Sequence, residues 1–507
     1  MKDKLPKYLW LMLTGLVLVL IMPACKKSRS DMGKQLAKET KNKIFKQVTP
    51  EDFAPIFQKV LEDKKGTLAN PKVISAFYAQ NGFDPVLVMN HLKDEELKVL
   101  VEYYNKAPEH GIKPQIFQAP AINALVNKLY DKKAIKTLDE AYQTIAELEL
   151  AAANSLINYS NAMQFGLISP RRIYARYYTE TKRPDSAFMN NVFAVGSLRN
   201  YLDSIQPKDP QYLALQKAFK EDVKVKGLPP EESERYFAVN MERLRWKNKP
   251  TADKYVWVNI PDFTLDVMEN GHSTLNMKVC VGEGRNMEGE VSLTEYDESD
   301  KVDRPFSRET PQLNSMIHSV QVNPVWNIPK SIATKEIMVA AAADPYYLGN
   351  ENIDVYYKGQ LVNDPETIDW SSASKDDYEF KQRPGDDNAL GKIKFLFKNR
   401  SSVYLHDTPA KLAFNRTMRA VSHGCVRVEQ PQKLAEALFG NGKKYQTIVE
   451  KMNGNNDSPT DIGLSPKVPV FITYMTCWVS KDGLQFRPDV YGLDVVLYAH
   501  MKKLVTV

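Results

Sequence analysis

Apolar residues change their spacing once along this chain, near Asn248-Lys249-Pro250, and that switch decides what can be built on either side of it. Before it, from about residue 52 to 246, they recur in steps of three and four. The clearest run is Leu138, Tyr142, Ile145, Leu148, Ala152, Leu156, Tyr159 and Met163, closed by Gly166 as a helix terminator. Shorter helical patterns occupy 72–80, 95–106 and 115–132, punctuated by Asn70-Pro71, Asn81-Gly82 and Gly111 with Pro114. After the switch the pattern alternates. Val256, Val258 and Ile260 enclose Trp257 and Asn259, Phe263, Leu265 and Val267 follow Pro261-Asp262, and Ile393, Phe395 and Phe397 alternate with Lys394 and Lys398. These read as half-buried strands. Residues 323–388 are rich in Pro, Asp and aromatics without a clean strand period, and read as an insertion lying over the β core like a lid. The expected architecture is an α+β multidomain chain: a helical domain over 51–248, then a β-rich domain over 249–507 that carries the insertion. At 507 residues the chain exceeds what one hydrophobic core usually supports.

The N-terminus reads differently from both halves. Residues 1–46 hold eleven Lys/Arg against three acids, a net of +8, while the whole chain carries only +6, so the remainder is slightly acidic. The basicity belongs to one segment, and a nucleic-acid partner has little support. That segment has basic Lys2, Lys4 and Lys7, an apolar run over 8–22, and Pro23-Ala24-Cys25. Residues 1–25 therefore read as an export segment, and Cys25 after a small residue looks like a lipoprotein cleavage site. An uncleaved N-terminal anchor and a plain signal remain alternatives. Residues 26–50 read as a Lys-rich tether. The body of the protein is expected outside the cytoplasm, on the periplasmic side of an envelope and held to the membrane through its N-terminus.

Cys280 and Cys477 each lie in an apolar, strand-like run and read as small buried residues, although an exported protein permits them to pair. Cys425 is different, because it closes the stretch Ser422-His423-Gly424-Cys425. Upstream lies Val403-Tyr404-Leu405-His406-Asp407-Thr408-Pro409. Val403 and Leu405 suit a buried face, which places Tyr404 and His406 together on the other. Val426 and Val428 likewise face one way, so Cys425 and Arg427 project the other way. A run from Gln432 to Phe439, ended by Gly440, reads as a helix behind the Cys.

A thiol attacks as its thiolate, and a free Cys with pKa near ~8.5 is only a few per cent ionised at neutral pH. An imidazole in reach supplies the activation. His423 is constrained by Gly424, whereas His406 comes from a different strand and is free to approach the sulfur. Gly424 allows a tight turn, after which the Gly424 and Cys425 amides can point at a developing oxyanion. Ser-His-Gly-Cys alone can equally be a turn ending in a buried thiol, and two His with one Cys fit zinc spacing poorly.

A His followed, after a spacer, by Ser/Thr-His-Gly-Cys resembles the signature of the L,D-transpeptidases. Arg427 stands where many members have Asn, and this departure makes the chain similar to the large, scaffolded Gram-negative branch. The likeness extends to Ala107-Pro108-Glu109-His110-Gly111-Ile112, to the run from Val239 to Trp246, to Thr310-Pro311, to Asn323-Pro324-Val325-Trp326-Asn327-Ile328-Pro329, and to Asn388-Ala389-Leu390-Gly391. The resemblance implies a helical scaffold domain followed by a β-rich L,D-transpeptidase catalytic domain, with 323–388 as a capping subdomain over the site. It makes Cys425 the acylated nucleophile and His406 the proton carrier, with Ser422, His423 and Gly424 as site wall and oxyanion hole. Tyr404, Arg427, Arg419, Trp326 and Phe414 are then candidates to line a substrate groove. The peptidoglycan-binding module usual in this branch has no room here, since 212–224 leads through Pro229-Pro230 directly into Val239.

What the resemblance implies is acyl transfer on peptidoglycan tetrapeptide stems, as donor and acceptor, with release of D-alanine, cross-linking of third-position residues and no cofactor or metal. With water or a protein amine as acceptor, the same site is an L,D-carboxypeptidase or an enzyme that anchors proteins to the wall. A non-catalytic envelope scaffold that binds stem peptides predicts a degraded motif. A papain-like protease predicts the Cys before the His, the reverse of the order seen.

Overall fold

The computed structural model describes residues 31–225, 228–284, 298–454 and 458–506. The apolar run at 8–22 and Cys25 lie outside them, and no helix of the described residues is long and apolar enough to cross a membrane. The chain divides into two compact units, one of residues up to 98 with 121–152, the other of 99–120 with 153–507. The division does not fall at 248: the second half of the helical region belongs to the same unit as the β-rich part.

The first unit is helical, with Met32–Thr40, Pro50–Lys64 and Pro71–Gln80 among its helices. It corrects the reading of 26–50 as a tether. Leu36 and Phe45 are completely buried, Asn42 caps the 3-10 turn Lys43–Gln47, and its amide donates to the Ile135 carbonyl at 2.8 Å. Lys34, Lys38, Lys41, Lys43 and Lys46 are exposed on the outer face of this segment, which charge content alone does not reveal. Glu149, buried in this unit, accepts from Tyr78 Oη and from the Leu87 and Val88 amides. Burial pushes its carboxyl up to about 7 against those three donors.

In the second unit the predicted alternation becomes a closed sheet. Its strands are β1 (Lys254–Asn259), β2 (Thr264–Glu269), β3 (His272–Gly282) and β4 (Leu313–Val322), with β5 to β8 in the insertion. Then follow β9 (Ile393–Phe397), β10 (Leu405–His406), β11 (Ala420–Ser422), β12 (Val426–Val428) and β13 (Thr460–Thr473). The order is β11-β3-β12-β10-β9-β4-β13-β1-β2, and β2 also pairs with β3, so every strand except β11 belongs to a closed ring. Closure leaves few edges and gives each strand an inward and an outward face. Val256, Val258, Val279, Val320, Phe395, Leu405, Val426 and Val428 all point into one core. Their alternate neighbours face out, as the period of two requires.

The insertion has a fold of its own, where the sequence showed no strand period. Strands β5 (Trp326–Asn327), β6 (Ile353–Tyr357), β7 (Gln360–Leu361) and β8 (Tyr378–Gln382) form a sheet in the order β5-β8-β6-β7. It packs with the helical stretch 330–343 around Val355, Trp370 and Phe380. Strands of two to five residues are too short to display alternation. The helix Pro431–Phe439 ends at Gly440 with φ +66°, and Leu138–Phe165 ends before Gly166 with φ +77°, both as predicted.

Candidate active site

The register of the barrel gathers the reactive side chains. One outward rung runs Asp461, Gln321, Lys394, His406, Arg427, Cys280 across β13, β4, β9, β10, β12 and β3. His406 is thus flanked by two cations. On the adjoining outward rung, Tyr404 and Cys425 precede the next pair, and the Val426 amide donates to the Tyr404 carbonyl at 3.1 Å. Cys425 and His406 therefore sit one rung apart on the same face of neighbouring parallel strands. The Tyr404 ring lies 5.9 Å from the His406 ring, with Lys394 Nζ 5.5 Å over the Tyr404 face.

The turn that presents Cys425 is tied on both sides. Ser422 Oγ donates to the Cys425 carbonyl and accepts from the Gly424 amide at 3.1 Å. Thr310 Oγ1 donates to the Gly424 carbonyl at 2.8 Å while accepting from the Gly282 amide at 2.8 Å, which fastens the turn to β3. Gly424 has φ +112°, a region that L side chains rarely adopt, and a Cβ there would lie 3.4 Å from the Arg308 carbonyl. One expectation needs correcting. The Gly424 amide is committed to Ser422 and does not face an oxyanion, so the Cys425 amide is what remains of the predicted pair of donors.

His406 is buried, and its Nδ1 donates to the Asp407 carbonyl, which fixes the tautomer and leaves the Nε2 lone pair available as a base. Burial, then Arg427, then Lys394 push its pKa down to about 4, against the pull of Asp407. The imidazole is therefore neutral at physiological pH. Burial pushes the Cys425 thiol up to about 11, opposed by the Tyr404 amide, Arg427 and Lys394. The resting pair is a neutral thiol beside a neutral imidazole, not a thiolate–imidazolium pair. Asp407, unnoticed in the sequence, is buried and accepts from the Lys392 and Thr408 amides and from Lys411. Gly391 makes room for it: φ is +60°, and a Cβ there would fall 2.4 Å from the Asp407 carboxyl carbon.

The second histidine is otherwise engaged. His423 Nε2 lies 3.0 Å from Glu336 Oε1, on the insertion, and Arg308 joins the same carboxylate. His423 thus lies where the insertion meets the nucleophile strand, with its Nε2 engaged by Glu336. Arg427 is part-buried, its Nε has no partner, and burial lowers its pKa against the pull of Cys280 and Cys425. Lys394 was read in the sequence as one polar position among others. The structure adds it to the site, lowered by burial while Asp461 and Cys425 oppose the shift.

Three groove candidates are engaged in packing or in backbone contacts. Phe414 is buried against Cys280 and Val421. Arg419 donates to the carbonyls of Val279, Arg416, Asp262 and Phe263, so it braces backbone behind the site. Trp326 packs against the core of the insertion. Their types matched a binding groove, but burial and donor use depend on partners far away in sequence. Cys280 and Cys477 are both free and buried, without a disulfide between them. Among the described residues no group of three or more His, Cys, Asp or Glu side chains is placed to hold a metal.

Comparison with known proteins agrees with this layout. Residues 253–449 match the model of the YkuD L,D-transpeptidase catalytic domain, and residues 72–219 match that of the Scaffold domain. A curated Haemophilus influenzae protein named "Putative L,D-transpeptidase" is 33% identical over 258 residues, 51% of this chain and 47% of that protein. The chain thus spans about half the length of that relative. A closed β ring with a Ser-His-Gly-Cys turn on its outer face, preceded by a helical scaffold, makes residues 253–449 an L,D-transpeptidase catalytic domain.

Proposed function

We propose that the protein re-links peptidoglycan stems by a cysteine acyl-enzyme route, with Cys425 as nucleophile and His406 as proton carrier. The observation that carries this reading is the pair of outward rungs. A thiol and a neutral, tautomer-fixed imidazole share one face, beside two cations, Lys394 and Arg427, that form no ion pair among the described residues. His406 Nε2 takes the thiol proton as Cys425 Sγ bonds to the carbonyl carbon of the third residue of a donor tetrapeptide. The charge that develops on the carbonyl oxygen is met by the Cys425 amide. The bond to the terminal D-alanine breaks, and its amine leaves with the proton from His406. A thioester remains. The side-chain amine of a neighbouring stem attacks it, His406 removes the amine proton, and the Cys425 thiol is restored as the cross-link forms.

Arg427 supplies a fork for a stem carboxylate, an arrangement worth more than a neutral hydrogen bond when water is excluded. We place this reaction outside the cytoplasm, with the N-terminal segment as export signal and membrane tether, lipidated at Cys25. The test is a muropeptide digest of walls from cells expressing wild type or Cys425→Ala. Cross-links between third-position residues are expected only with wild type, and equal amounts in both would refute the transfer. D-alanine release without new cross-links would instead identify an L,D-carboxypeptidase.

A further inference from the structure

A cavity of about 830 Å³ in the second unit lies away from Cys425. It lies against the outer face of β13, β1 and β2, and in the ring β1 stands opposite β10, so the barrel core separates this cleft from His406. Its floor is one outward rung, Phe471, Trp257 and Asp266, followed around the ring from β13 to β2. Tyr255 occupies the next rung, 6.3 Å from Trp257, and the Trp257 and Phe471 rings stack at 6.1 Å. The opposite wall is the hairpin of β14 (Cys477–Ser480) and β15 (Gly483–Phe486), which presents Trp478. Partly exposed aromatic faces thus line both sides of a cleft whose volume suits an organic ligand rather than a packing defect.

Charge identifies the class of ligand. Asp209 pairs with Lys249 at 2.5 Å, Asp262 with Arg487 at 2.6 Å, and Arg243 with Asp494. Asp266 accepts from Ser273 and Asn276 at 2.6 and 2.9 Å. Asp266 and Lys481, at the hairpin turn, form no ion pair among the described residues of the lining, and their charges are opposite. A wall with so little net charge offers no strong field to a nucleic acid or an anionic lipid. It offers ring faces for flat apolar patches, with amides, hydroxyls and an oriented carboxylate between them. A sugar ring has both parts: an apolar face of C–H groups and a rim of hydroxyl donors.

We infer that this cleft binds a neutral, β-linked N-acetylated sugar chain, the class of polymer from which wall stem peptides hang. The inference rests on the proposed wall substrate for its choice of polymer. The aromatic floor would hold the glycan on one side of the barrel while a stem is processed on the other.

The test uses the full chain and chitohexaose, which has the sugar chemistry without any stem. Saturable binding is expected by calorimetric titration, together with retention on chitin beads. Trp257→Ala should weaken it about tenfold or more, as loss of a central aromatic contact does. Asp266→Ala, on the solvent face and outside the aromatic packing, should weaken it severalfold, and thermal melts of both variants would show that they fold. Failure of wild type to bind chitohexaose, unchanged binding by folded Trp257→Ala and Asp266→Ala, or displacement of chitohexaose by free stem tetrapeptide would each overturn the inference. Glycan binding in a protein that forms no cross-links would refute the transfer reaction and keep the cleft. Cross-linking without glycan binding would do the reverse.

Discussion

Arg243 and Arg245, on the helix Pro230–Arg245, and Arg427 and Lys394, beside Cys425, are four cations drawn out of water, but among the described residues only the first two form ion pairs. Arg243 meets Asp494, and Arg245 Nη2 lies 2.8 Å from Glu242 Oε2, with both side chains of that second pair fully buried. Burial disfavours the Arg243 charge, yet Asp494 more than restores it, and its pKa rises. For Arg427 and Lys394 burial dominates, and the pKa falls. The first arrangement is finished without a ligand. The second leaves attraction unsatisfied at the surface proposed to receive a stem carboxylate, and keeps the imidazole between the two cations neutral.

The contrast breaks most visibly at Asp494. Asp494→Ala leaves Arg243 and Thr476 Oγ1 without their acceptor in the interior. Unfolding free energy should fall by about 3–5 kcal/mol, measured by chemical denaturation followed through tryptophan fluorescence. Arg427→Met should behave in the opposite sense. It removes a charge that forms no ion pair among the described residues, so stability should hold or rise by up to about 1 kcal/mol. D-alanine release from a soluble tetrapeptide should nevertheless drop about 10- to 100-fold, the scale of one lost charge-assisted contact. If Arg427→Met proves as destabilising as Asp494→Ala, the Arg427 guanidinium is a structural group and the comparison fails.

Sequence and structure agree best where the cause is local. Alternation at 256–260 and 393–397 marked the barrel strands, and the same period put His406 and Cys425 on outward faces. Register is not local. Lys394 comes beside His406 only because β9 and β10 pair as they do, and nothing in Ile393-Lys394-Phe395 distinguishes it from the solvent-facing Lys398. The Gly424 amide was misjudged for the same reason: its partner, Ser422 Oγ, is two residues away, but the bond depends on the shape of the turn. Arg419 looked like a binding residue until its donors were found on carbonyls 140 and 157 residues distant. The segment 32–47 hid its buried Leu36 and Phe45 among lysines, where composition outweighed periodicity.

The smallest effect is also the most specific to the pair of rungs. His406 must be neutral to take the thiol proton, and burial with Arg427 and Lys394 holds its pKa near about 4. On the acid side, kcat/KM for D-alanine release should therefore stay level from pH 7 to near 5 and fall only toward 4. An imidazole in water would lose the base near ~6.5. Arg427→Met removes the second cause and leaves the first, burial, in place. The acid limb should then move up by about one unit or less. His423→Gln, which cuts the link to Glu336 but not the rung, should leave that limb where it is. A wild-type limb near 6.5 that vanishes with His423→Gln would transfer the role of base to the second histidine. Movement with Arg427→Met alone would keep that role with the imidazole flanked by Lys394 and Arg427.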